Sequence, residues 1–257
     1  MRPPHSSLSA ALAAGLLCLA GACHADEAVT AEPDPARPEL GLMGTIPVYW
    51  GETGDFGELL SGEGQAHWGR ARLEADFRLR PLDTLDEANL AGLEFLLLAQ
   101  PRALRPAENV ALDAWVRRGG RLLLFADPLL TGESRFPIGD RRRPQDVVLL
   151  SPILAHWGLD LSFDEEQPAG TALVPTGGPP IPVSLAGALA LRGGEADCAL
   201  VATDVLAECT IGAGRALILA DAAALDLHEP HPASGAALDW LAARIFAKSG
   251  ESAGTRF

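Results

Sequence analysis

The chain has 257 residues, with 20 Lys+Arg against 34 Asp+Glu and a formal charge of −14. Hydrophobic residues make up 48% and aromatic residues 5%. This length and apolar content support a substantial core, which excludes a wholly disordered chain. So negative a charge argues against nucleic acid as a partner, and the single lysine, Lys248, leaves almost no candidate for lysine-based chemistry.

The first 25 residues have the layout of an export signal. Arg2 and His5 precede a Leu/Ala/Gly run from Leu8 to Gly21, then small residues suited to cleavage after Ala25 or after Ala22. The run is too short to span a bilayer, and no later stretch is long and apolar enough to do so. Ala20-Gly21-Ala22-Cys23 is a weak lipobox, which makes lipid attachment at Cys23 the alternative to simple cleavage. The expected location is therefore periplasmic, either free or lipid-anchored through Cys23. Residues 26–43, acidic and rich in proline, read as a disordered spacer. Residues 44–248 read as one domain and 249–257 as a flexible tail.

Within the domain, IPVYW (46–50) is expected as the first strand and 51–65 as a glycine-rich loop. A helix follows at 67–75, a strand at 77–82, and a short helix at 83–93 whose Thr84 and Glu87 have capping-box spacing. FLLLAQP (95–101) and RLLLFADP (121–128) are continuous apolar runs, as in strands covered on both faces. The helix between them opens at Pro106 and ends at Gly119-Gly120, with Val110, Leu112, Trp115 and Val116 assigned to one broad apolar face. Strand, helix and strand with short connections predict a mostly parallel sheet in an α/β domain. Further on, a long polar loop (131–146) leads to a helix within 147–158. Short strands are expected at 159–164, 171–175, 181–185 and 188–192. Segments 198–203 and 208–214 form a hairpin, 215–221 the last buried strand and 235–248 the last helix.

The segments LDAWVRRGGRLLLFADPLL (112–130) and IGAGRALILADAAAL (211–225), with the opening LGLMGTIPVYWGE (40–52), resemble the glutamine-amidotransferase-like domain of GldG-type proteins. These are auxiliary extracytoplasmic components of ABC-type uncharacterised transport systems. The resemblance implies a flavodoxin-like, three-layer α/β/α fold of the class I glutamine-amidotransferase type, here with a C-terminal β-hairpin insertion. It also implies a binding or scaffolding role, with ABC transporter subunits or another envelope protein as partner.

Catalytic machinery is not expected. Amidotransferases of this class hold a nucleophilic Cys in a strand-to-helix elbow, but the position after RLLLFA carries Asp127-Pro128. His228-Glu229-Pro230-His231 has a proline that forbids the helical spacing of a zinc motif, so no metal and no cofactor are expected. In an oxidising compartment Cys198 and Cys209, on the two arms of the hairpin, are predicted to form a disulfide. Ligands of doubly wound sheets bind beyond the carboxyl ends of the strands, which makes Trp50, Glu52, Asp127 and Asp221 the candidates, with Gln100 at another strand end. An aspartate there can equally cap the next turn. Arg141, Arg142 and Arg143 form the one basic cluster and could grip an anion, or simply pair with nearby acids. The alternative to a binding protein is a hydrolase working through Glu52, Asp127 and Asp221.

Overall fold

The computed structural model of the protein describes residues 37–52, 57 and 66–247. The expected signal peptide with Cys23, the spacer up to residue 36, most of the 51–65 loop and the 249–257 tail lie outside these residues.

Eleven strands and five α-helices are formed by the described residues. In chain order they are β1 (Glu39–Gly44), α1 (Trp68–Asp76), β2 (Arg78–Pro81), α2 (Glu87–Leu90), β3 (Phe95–Ala99), α3 (Pro106–Arg117), β4 (Arg121–Phe125), α4 (Ser151–Trp157), β5 (Leu159–Ser162), β6 (Thr171–Val174), β7 (Ile181–Ser184), β8 (Ala188–Leu191), β9 (Asp197–Ala202), β10 (Leu206–Ile211), β11 (Gly214–Leu219) and α5 (Ser234–Phe246). Seven strands make one sheet in the order β2-β1-β3-β4-β11-β10-β9, and β5-β8 and β6-β7 are separate antiparallel pairs. The first five strands in that order run parallel, while β10 pairs antiparallel with both β11 and β9. The chain is thus an α/β protein with a mostly parallel central sheet.

The apolar runs become two cores because a strand sends successive side chains to opposite faces. Leu97 and Leu123 join one buried cluster, which also takes Leu73 of α1 and Leu238, Leu241 and Ile245 of α5. Leu96, Leu98, Leu122 and Leu124 join another, with Leu90 of α2, Leu112, Trp115 and Val116 of α3, and Ile153, Leu154 and Trp157 of α4. Both clusters take helix residues, so the side chains on both faces of these strands are buried, which is why the strand sequences are apolar throughout rather than alternating. Helix α3 stops where expected: the Gly119 amide donates to the Val116 carbonyl, the Gly120 amide to that of Trp115, and Gly119 has a φ of 113°.

Several sequence expectations are corrected. The first strand is Glu39–Gly44, all but its last residue within the stretch assigned to the spacer, with Leu40 and Leu42 buried in the core. Residues 46–50 instead turn back on themselves, the Val48 amide donating to the Ile46 carbonyl and the Gly51 amide to that of Pro47. The α2 cap is Asp86, whose side chain accepts from the Asn89 amide, and Thr84 supports it by donating to Asp86 at 2.7 Å. Val110 is not on the core face of α3: it is 71% exposed, while Leu112, Trp115 and Val116 are buried. At about 100° per residue, Val110 lies roughly opposite those three. The helix expected within 147–158 begins only at Ser151, with Pro152 in its first turn.

The hairpin pairing is present. Cys198 and Cys209 face each other directly across β9 and β10, with Cα atoms 4.0 Å apart, and are joined by a disulfide.

Candidate functional site

The carboxyl ends of β3, β4 and β11 place three polar residues side by side, and each is fully buried: Gln100, Asp127 and Asp221. A buried polar group is tolerable only if its hydrogen-bonding capacity is met. Gln100 meets this by a reciprocal pairing, in which its Nε2 donates to the Asp127 carbonyl at 2.9 Å and its Oε1 accepts from the Asp127 amide at 2.8 Å. Its Nε2 also reaches the Gln145 carbonyl at 3.1 Å, which secures the long loop after β4.

The two aspartates act as anchors for loops. Asp127 accepts from the Leu129 amide at 2.8 Å through Oδ1 and from the Ala222 amide at 3.0 Å through Oδ2. Asp221 accepts from the Ala223 amide at 2.7 Å and from the Ser184 amide at 2.9 Å. Each carboxylate oxygen of the pair therefore accepts from a backbone amide, three of them in loops at the sheet end and one, Ser184, at the end of β7. Burial raises the Asp127 carboxyl to about 6, against the opposing pull of its two amides. Burial also pushes Asp221 well above the ordinary value, and the negative charge of Asp127 adds to the push.

Glu52, 5% exposed, ties three segments together. Its Oε1 accepts from the Ser134 hydroxyl at 2.5 Å, and its Oε2 from the Arg135 amide at 2.8 Å. Nε2 of His228 lies 3.0 Å from the same Oε2. Burial works against the charged form of Glu52, but the hydrogen bonds from Ser134, Arg135 and His228 outweigh it and leave its pKa lowered. Beside Glu52 is a cavity of about 20 Å³, lined among others by Ile46, Glu133, Leu225 and Asp226. A space of that size suits about one water molecule, not a metabolite.

His67 and Trp68, at the start of α1, brace the same end. His67 Nδ1 accepts from the Gly69 amide at 3.0 Å, which leaves Nε2 as the proton carrier facing the Leu225 carbonyl at 2.8 Å. Burial lowers the pKa of His67, so the ring is neutral in the fold. The Trp68 indole donates to the Asp226 carbonyl at 2.6 Å.

The remaining candidates are apart from this cluster. Trp50 is 52% exposed and meets Tyr49 edge-on at 4.6 Å, while the Arg70 guanidinium lies over the Tyr49 ring at 4.2 Å. Arg142 pairs with Asp140 at 2.8 Å and covers the Phe136 ring, and Arg143 pairs with Asp146 at 3.4 Å. Two of the three clustered arginines are thus engaged with their own loop. Among the described residues, no three His, Cys, Asp or Glu side chains converge as a metal site. No helix among them is long and apolar enough to cross a membrane.

The sequence marks Glu52, and His228 only within a rejected metal motif, but it pairs Glu52 with neither Ser134 nor His228, and it marks Gln100 only as a strand end. Their meeting depends on contacts as distant as 176 positions along the chain.

Residues 64–175 match the profile of a family described as "ABC-type uncharacterized transport system". The match covers less than half of the chain and supports a relation to that family. No protein of curated function matches the chain. Among solved structures, the fold is similar to one titled "mmIFT52 N-terminal domain", at a TM-score of 0.51 and 14% identity over 84% of this chain and 99% of that one. An exo-beta-1,4-mannosidase from Opitutaceae bacterium strain TAV5 aligns at a TM-score of 0.47 and 15% identity over 82% of this chain, which spans 36% of that one. A putative ThuA-like protein from Bacteroides uniformis aligns at 0.44 and 9% identity over 84% of this chain and 96% of that one.

Proposed function

We propose that this protein is an exported, non-catalytic binding or scaffolding component working beside an ABC-type transport system. The observation that carries the reading is the family match over residues 64–175. The strand order supports a flavodoxin-like, three-layer arrangement of the amidotransferase kind: β2-β1-β3-β4-β11 is the parallel order of doubly wound flavodoxin-type sheets, and helices contribute to the cores on both faces. In this reading β9 and β10 are a hairpin added at the sheet edge.

The state of the sheet end supports binding over catalysis. A general acid or base must reach a substrate with a free lone pair or proton. Asp127 and Asp221 are inaccessible, and each of their oxygens accepts from a backbone amide. Trp50, Arg141 and Arg142, apart from that cluster, are exposed and are the candidates for contact with a partner.

Affinity capture of the full chain from envelope extracts of its native host, after mild crosslinking, tests the reading. Recovery of an ATPase and a permease of one transport system is the expected result, and repeated capture without either overturns it. Export is tested separately by fractionation and N-terminal sequencing of the mature protein. A start at Asp26 or Cys23 supports cleavage at the positions read above, with a lipid on Cys23 distinguishing the anchored form. Retention of residues 1–25 in the cytoplasm overturns export.

A further inference from the structure

We draw no further inference here: the strongest candidate, the cluster of Arg121 on β4, Arg215 on β11 and Arg244 on α5 around Glu208 on β10, is engaged within the fold, Arg215 and Arg244 with the Glu208 carboxylate and Arg121 with the Ala247 carbonyl, and nothing in the structure points to an anion that it would hold.

Discussion

Replacing Asp127 by Asn isolates the cost of keeping a buried carboxylate charged. In the fold its pKa rises from 3.8 to about 6. That difference is worth about 3 kcal/mol in favour of the protonated form. Because the folded value lies above the unfolded one, the contribution to stability is fully present below pH 3.8 and is lost as pH rises through about 6. Asp221, also raised, acts with the same sign. His67 has a lowered pKa, so its contribution is lost as pH falls, but it is shared by wild type and variant and cancels in their difference. Asp127→Asn removes the charge, yet one of the two amide atoms it introduces must face a backbone donor with a nitrogen, at a pH-independent cost of about 1–3 kcal/mol. The wild type should therefore gain on the variant by about 2 kcal/mol between pH 7.5 and pH 4.5. For a domain near 200 residues this is a relative Tm change of roughly 4–8 °C. Thermal melts of both proteins at half-unit pH intervals measure it. Parallel pH profiles, with a constant Tm difference across the range, would refute the reasoning.

Other variants test other parts of the account. Removing the disulfide in the C198S/C209S double variant, which opens a crosslink spanning 11 positions, should cost about 3 kcal/mol by loop entropy. Reductant should lower the Tm of the wild type alike and leave the variant unmoved. Glu52→Gln should cost about 1–3 kcal/mol and raise amide exchange at Arg135 and around residue 228, because the 131–136 and 226–231 segments lose their common anchor; unchanged exchange would contradict that role. On α3, Leu112→Ala should cost about 2–5 kcal/mol, while Val110→Ala should stay within about 0.5 kcal/mol, as chemical denaturation can show. Equal losses would mean that the two faces of the helix are assigned wrongly.

The strands most legible in the sequence are those with no polar interruption. FLLLA and RLLLF sit in the middle of the sheet and need no long-range information to be recognised. β1 is hidden for the opposite reason. It follows a proline-rich stretch and contains two glycines, one of which, Gly44, is required by tertiary contact: a Cβ there would lie 1.9 Å from the Ala99 carbonyl oxygen. IPVYW has strand composition, but Pro47 lacks an amide for a sheet ladder and the segment closes a turn instead. Apolar character alone assigns Val110 to the core face in the sequence, although its angular position about the helix already sets it apart and it is exposed. At the candidate site, Asp127 and Asp221 are legible as residues at strand ends, but not as a pair consumed by backbone amides. That depends on Ser184 and Ala222, whose positions follow only from the folded chain. Glu52 and His228 meet for the same kind of reason.

The placement of β11 governs when the sheet can be completed. It lies between β4 and β10, and its pairing with β4 joins residues about 90 positions apart, a closure that comes at a high entropic cost and slows folding. Until β11 is in place, β4 has a bare flank at the centre of the future sheet, and β10 and β9 have nothing to extend. The crosslinked β9–β10 turn can form early, since it is local, but it then waits as a preassembled piece for its neighbour. A nascent chain ending before Gly214 would thus expose a flat, apolar strand edge, so a truncation there should yield aggregates rather than a smaller folded domain.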